Sequence, residues 1–292
     1  MPVYSSMKIP VIVVNWNGME DTIECMESLL ATTGPEIMIH LVDNGSDNNE
    51  GRLLAQKFHN NEMVRVYQLK DNIGFAKANN QILTKILQED FKYVALINND
   101  TIVDKNWMHS FLETAVQKEA QMVSAKLLRY DRPDIIDNLG HQMLNTGEII
   151  PVAHDQPAEK YPESFENMGS CAGAALYATD MLRKIGIFDP FFSTGYEDAE
   201  LGLRAFMAGY RSVYAPDVII LHKGGQSIKK VFNYRYALMI QSSIWYTYFK
   251  LVPLTAILVS LPFILIKIIL LSVINILFGR WKYLKIQWQA LF

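Results

Sequence analysis

Cysteine is scarce in this chain of 292 residues. Only Cys25 and Cys171 occur, in unlike settings, which excludes a disulfide framework and a paired-thiol zinc motif and favours a reducing compartment. Acidic residues run out altogether: all 30 lie at or before Asp217, whereas nine of the 27 Lys and Arg lie after it. The net charge of −3 therefore hides an acidic body and a basic tail. Basic residues that flank an apolar run suit an anionic lipid surface, so nucleic acid is not the expected partner. The opening Met-Pro-Val-Tyr-Ser-Ser has neither a basic start nor an apolar core, and no secretory leader is expected. The first strand is followed by Asn15-Trp16-Asn17-Gly18 and not by a Gly-rich phosphate cradle. Any nucleotide diphosphate bound here thus needs a cation in place of a backbone nest.

What is present is an alternation of strands and helices. Ile9 to Val14 is a β-branched run, after which Ile23, Met26, Leu29 and Leu30 recur at helical spacing. Ile37 to Val42 ends on Asp43-Asn44-Gly45-Ser46-Asp47 and leads to a helix through Leu53, Leu54 and Phe58. Val64 to Leu69 ends on Asp71-Asn72-Ile73-Gly74, followed by a helix from Phe75 to Leu87. Val94 to Ile97 then stops on Asn98-Asn99-Asp100. This order predicts an α/β fold, a doubly wound, mostly parallel sheet with helices on both faces. In such a sheet the carboxyl ends of the strands share one edge, where ligands bind. Three polar clusters on that edge predict a site, and Asp100 can hold Mg²⁺ or Mn²⁺, hard ions that bridge diphosphates.

Five blocks carry a family resemblance: Val-Val-Asn-Trp-Asn-Gly, Val-Asp-Asn-Gly-Ser-x-Asp, Asp-Asn-x-Gly-Phe-Ala, Asn-Asn-Asp, and Tyr-Glu-Asp-Ala-Glu-Leu-Gly-Leu-Arg. From about Ile9 to Gly225 the chain resembles glycosyltransferase family 2, the inverting enzymes of the GT-A fold, and within it the rhamnosyltransferases of bacterial surface polysaccharide assembly. The resemblance implies that Asp43 holds a nucleobase and that Asn98 and Asp100 stand for the Asp-x-Asp motif that holds ribose and metal. Asn98 departs from that motif: an amide can still bond a ribose hydroxyl, but it weakens metal binding. Asn15, Asp43, Asn72, Gly74, Asn98 and Asn99 are the nucleotide-binding candidates, and Asp100 with His222 the metal candidates. The same resemblance makes Asp198 the base that deprotonates the acceptor hydroxyl and gives Glu197 a part in holding the acceptor. Glu200 reads as a helix-dipole partner. The remaining histidines, among them His40, His141 and His154, read as surface or packing residues. Gly169 to Ala174 is rich in small residues, which suits either a close approach to a sugar or tight packing. Tyr130 to Phe165 shows little periodicity and reads as a strand pair and a loop on the acceptor side.

The expected domains are 1–225, the nucleotide-sugar glycosyltransferase, and 226–292, a membrane-association segment. Tyr234 to Lys250 reads as an aromatic, basic helix. Leu251 to Phe278 holds twenty Leu, Ile, Val or Phe, broken by Pro253, Pro262, Lys267 and Asn275. A central Lys costs roughly 2.5–3.5 kcal/mol while each apolar residue gains at best ~0.3–0.6, so insertion wins. Lys229, Lys230, Arg235 and Lys250 precede this stretch and Arg280, Lys282 and Lys285 follow it, which leaves a single span and an in-plane or re-entrant helix both open. The expected protein is an inverting transferase at the cytoplasmic face of the cell membrane, using a divalent cation, a nucleotide-diphosphate sugar donor and a lipid-linked or glycan acceptor, with room for a homo-oligomer. Two alternatives stand beside it: a catalytically silent sugar-binding scaffold, and a processive synthase. The second lacks its Gln-x-x-Arg-Trp motif, since Leu277 stands where the Gln falls before Arg280-Trp281.

Overall fold

The computed structural model describes residues 7–224 and 233–291. The opening six residues, Gly225, Lys229 and Lys230 lie outside the described residues. Strand and helix alternate through the first hundred residues as the spacing predicts: β1 (Lys8–Asn15), α1 (Met19–Leu30), β2 (Glu36–Asp43), α2 (Glu50–Phe58), β3 (Val64–Gln68), α3 (Phe75–Ile86) and β4 (Tyr93–Asn98). A short β5 (Thr101–Val103), α4 (Trp107–Gln117) and β6 (Met122–Arg129) follow. The aperiodic middle carries three-residue strands only, β7 (Ile136–Asn138), β8 (His141–Met143) and β9 (Ile149–Pro151). After them come β10 (Glu166–Asn167), β11 (Ala174–Ala178), α5 (Thr179–Ile185), α6 (Glu197–Met207) and β12 (Ser212–His222).

The large sheet runs β3-β2-β1-β4-β11-β6-β12-β10, with β5 on β12 and β7 on β6. The four strands β3, β2, β1 and β4 are mutually parallel, as are β6 and β12, and β11 is inserted antiparallel between β4 and β6. Mostly parallel strands buried on both faces read as near-continuous apolar runs, as Val11 to Val13 and Val94 to Ile97 do. Alternate residues Ile9, Val11 and Val13 pack with Cys25, Met26 and Leu29 of α1 and with Trp107, Phe111 and Leu112 of α4. Helix α3 lies against β1 and β2 and buries Asn79, Ile82, Leu83 and Ile86 at helical spacing. Register brings the polar strand ends together: Asn15 faces Asp43, Val14 faces Asn98, and His222 faces both Thr101 and Arg129.

Among the described residues, 7–141 with 151–224 form one compact unit, and 142–150 with 233–291 a second. The second consists of α7 (Tyr234–Leu251), α8 (Leu254–Leu277), α9 (Trp281–Gln289) and the turn between β8 and β9. Asn233 caps α7 by accepting from the Arg235 and Tyr236 amides at 2.9 and 3.1 Å. Trp245, Tyr248, Ile264 and Ala290 make its small core, against which Met143 packs. Helix α8 runs through Pro262 and is long and apolar enough to cross a membrane. Its 24 residues extend about 36 Å at 1.5 Å each. Lys267, which interrupts its apolar face, forms an ion pair with Glu148 of the β8–β9 turn.

The expectation for Glu200 needs correction. Its side chain is fully buried, and Arg204 one turn on holds it through Nε at 3.0 Å and Nη2 at 2.8 Å. The guanidinium also donates to the carbonyls of Ile185, Gly186 and Ile187, which anchors the chain after α5 to α6. Glu200 is thus one half of a buried bidentate pair and more than a dipole partner. Removing one partner leaves an uncompensated buried charge, so Glu200→Ala should destabilise the body by about 3–5 kcal/mol. A urea-denaturation loss under about 1 kcal/mol, the size of a surface dipole effect, would contradict this assignment.

Candidate active site

Asn15 ends β1, and its amide gathers the ends of the neighbouring strands. Nδ2 donates to Asp43 Oδ1 at 2.8 Å and lies 3.1 Å from both Ser46 Oγ and Glu50 Oε2. Oδ1 accepts from Thr22 Oγ1 at 2.8 Å and from the Gly18 amide at 3.3 Å. Asp43 is buried, with Oδ2 accepting from the Ser46 amide and packed so closely on Gly51 that a Cβ there would lie 2.5 Å from it. Asn72 Oδ1 accepts from Asn44 Nδ2 at 3.0 Å and from the Gly74 amide at 2.9 Å, which closes the loop after β3 onto the loop after β2. Asn98 leaves β4 half-buried, its amide nitrogen 3.5 Å from where a Gly173 Cβ would stand. Asn99 turns toward α1 and donates to Thr22 Oγ1 at 2.9 Å. Asn15, Asp43, Asn72 and Gly74 thus meet at one sheet edge, Asn98 stands beside them, and Asn99 ties the edge to α1.

Asp100 and His222 meet as well, joined by a residue the sequence did not reveal. His222 Nδ1 lies 2.7 Å from Asp137 Oδ2, and its Nε2 lies 3.2 Å from Asp100 Oδ1. Asp137 sits on β7, in the segment with no readable period, and nothing local marks it. Burial alone would lower the pKa of His222, but the two carboxylates outweigh it and push the ring up to about 10, so the metal-free ring carries a proton. His222 Nε2 is nonetheless buried without an aligned hydrogen-bond acceptor. Asp137 thus fixes the orientation of the His222 ring from the Nδ1 side.

Helix α6 delivers the acid pair. Its first residues follow Gly195 (φ 81°) and Tyr196 (φ 78°), the latter a left-handed backbone that costs a non-glycine residue free energy and that clusters at functional sites. Asp198 is 16% exposed; Oδ2 accepts from the Ala172 amide at 2.9 Å and Oδ1 from the Ala199 amide at 2.8 Å. Gly169 and Gly202 set the height of α6 over the Gly169–Ala174 run: a Cβ on Gly169 would lie 2.5 Å from Gly202 Cα. That contact is the packing use of the small residues. Beside Asp198, His141 Nε2 stands 3.8 Å from Oδ2, and His141 is buried.

Glu197 points inward, 5% exposed, with Oε2 lacking any partner. Burial, and then the Asp198 charge, push its carboxyl up to about 8, so it is largely neutral at pH 7. A carboxyl with a raised folded-state pKa contributes stability at low pH that is lost as pH climbs from about 4.5 through about 8. Glu197→Gln copies the neutral form, so its stability should stay flatter than wild type across that window. Thermal or urea unfolding at a series of pH values checks this, and parallel curves for the two proteins would contradict a neutral Glu197.

Residues 11–186 match the family model "Glycosyl transferase family 2". Glycosyltransferase GlyG of Streptococcus pneumoniae serotype 4 (strain ATCC BAA-334 / TIGR4) is 29% identical over 126 residues, 43% of this chain and 41% of the relative. The matched part therefore spans about two fifths of that relative's length. Among solved structures, GalNAc-T7, described with UDP, GalNAc and Mn²⁺, superposes with a TM-score of 0.61 at 16% identity, covering 74% of this chain and 44% of that one. The mannosyltransferase PcManGT from Pyrobaculum calidifontis, in complex with GDP-Man and Mn²⁺, gives 0.61 at 14%, covering 85% and 65%. At these identities the two structures speak for the fold alone.

Proposed function

The chain belongs to glycosyl transferase family 2, and on that footing we propose that it moves a hexose from a nucleotide-diphosphate sugar to a membrane-linked glycan with inversion at the anomeric carbon. The observation that carries the proposal is the common location of the two halves of the chemistry. A carboxylate and an imidazole, Asp100 and His222, lie at the same sheet edge as a partly exposed carboxylate, Asp198, whose oxygens are fixed by backbone amides. Asp198 takes the proton of the acceptor hydroxyl as that oxygen bonds the anomeric carbon. The bond from that carbon to the donor phosphate breaks on the opposite face, and the nucleoside diphosphate departs. Asp100 and His222 would hold a divalent cation, which supplies charge to the leaving diphosphate. The imidazole in the donor set favours Mn²⁺ over Mg²⁺.

Asp43 and Asn98 are assigned to the nucleoside, with Asn15, Asn72, Gly74 and Asn99 shaping the edge that receives it. Rhamnose is the donor sugar we propose, on the resemblance of the sequence blocks, in bacterial surface polysaccharide synthesis. The acid-free tail, the apolar α8 and the Trp281, Tyr283 and Lys282 cluster of α9 support an acceptor held at the cytoplasmic face of a membrane. The segment 226–292 is accordingly assigned to membrane association.

Asp198→Asn keeps shape and removes the proton acceptor, so donor binding should persist while transfer falls by a factor of ~10²–10⁴. The product anomer should be opposite to the donor's. A retained configuration, or near-normal turnover in the variant, would move the base elsewhere. Asp100→Ala should abolish the divalent dependence of nucleotide-diphosphate binding measured by calorimetry, whereas Asp43→Ala should weaken binding with and without the cation. Undiminished transfer in excess chelator would remove the cation from the mechanism.

A further inference from the structure

Apart from the Asp100 and His222 pair, a second cluster of ligand-type side chains lies around Asp198. His141, Cys171 and Asp198 each offer one donor atom, and these atoms all lie within 4.8 Å of one another. His141 is brought there by the start of β8, Cys171 by the turn before β11 and Asp198 by the head of α6. Two observations mark the cluster as more than packing. His141 Nδ1 is buried with no hydrogen-bond partner, and the approach of its Nε2 to Asp198 at 3.8 Å is longer than a hydrogen bond. The Cys171 thiol, half-buried at the margin of the core, lies within 4.8 Å of both the Asp198 carboxylate and the His141 ring nitrogen.

We propose that His141, Cys171 and Asp198 form a site for a thiophilic divalent cation, Zn²⁺ in the first instance, separate from the Asp100 and His222 pair. Filling it withdraws Asp198 from proton transfer. The second statement rests on the reading of Asp198 as the base, the first does not. Tetrahedral Zn²⁺ with bonds of about 2.0 Å to N and O and about 2.3 Å to S has ligand edges of about 3.3–3.6 Å. The His141 to Asp198 edge is already near that value at 3.8 Å, and each distance to the sulfur needs to shorten by no more than about 1.3 Å, within the reach of its side-chain torsion. Three protein ligands leave the fourth position for water. Asp198 is partly exposed, so an ion has a path in from solvent.

The two sites differ in softness. A carboxylate and an imidazole accept Mn²⁺, while a thiolate selects Zn²⁺ and is a poor ligand for Mg²⁺. Saturating the first site with Mg²⁺ therefore leaves the second open to Zn²⁺. Binding displaces the thiol proton: Zn²⁺ and the S–H group give a zinc thiolate and a proton released to solvent, so affinity rises with pH. The bound ion occupies Asp198 Oδ2, the atom facing both His141 and the Ala172 amide. A coordinated oxygen lone pair cannot receive the acceptor's proton.

The test uses the full chain in detergent with saturating Mg²⁺. Co²⁺ is titrated in as a spectroscopic substitute, followed by Zn²⁺. Wild type should show a thiolate-to-cobalt charge-transfer band with tetrahedral visible bands, both bleached by Zn²⁺, and Zn²⁺ should slow transfer by a factor of ~10², the scale of losing a general base. Cys171→Ser should retain Mg²⁺-dependent transfer, lose the charge-transfer band and resist Zn²⁺. His141→Gln gives the same reading if the serine variant fails to fold. A missing band in wild type, or a band unchanged in both variants, overturns the site. A band without loss of transfer leaves the site standing and overturns the withdrawal of Asp198, and with it the role of Asp198 as base.

Discussion

The amide of Asn15 is the joint on which the catalytic edge depends. One side chain, wholly buried, places its nitrogen among Asp43, Ser46 and Glu50 and its oxygen against Thr22 and the Gly18 amide. Two acids and a helix N-terminus are thereby brought to the end of one strand without a cation between them. An amide can do this because it is donor and acceptor at once, whereas an acid at the same position would add a third negative charge to the cluster. The strand register then carries this order across the sheet, from Asp43 opposite Asn15 to Asn98 opposite Val14.

Farther along the sheet a carboxylate from the aperiodic middle performs the comparable task. Asp137 orients His222 from one side while Asp100 faces it from the other, which leaves the Nε2 atom directed at the Asp100 carboxylate. Asp198 is set by a different device, the backbone contact of Gly169 with Gly202, together with the Arg204 guanidinium that ties α6 to the carbonyls at the end of α5 and after it. The three parts of the site therefore rest on three kinds of support: an amide hub, a charged relay and a glycine contact.

Much of this was legible in the sequence because it is local. An apolar run that stops on Asn or Asp declares both a strand and its carboxyl end, so the edge carrying Asn15, Asp43, Asn72 and Asn98 followed from spacing, and so did the helices that separate them. Asp100 and His222 were joined in the sequence only by the family resemblance, and the pairing of β5 with β12 is what brings them within reach of each other. Asp137, His141 and Cys171 were not, since each lies in a stretch without period and gains meaning from partners 27 to 85 residues away. Glu200 is the instructive case. The i,i+4 spacing to Arg204 was in plain view, but only burial distinguishes an ion pair from a solvated helix end. Lys267 likewise reads as a defect in an apolar helix until Glu148 is found beside it.

That last pairing has a consequence for synthesis. Glu148 and Lys267 are 119 residues apart, so at about 5–20 residues per second the acid leaves the ribosome roughly 6–24 s before the lysine does. A lysine entering a bilayer alone costs roughly 2.5–3.5 kcal/mol. Here the partner acid is made first, and in the fold it answers the charge that breaks the apolar run of α8.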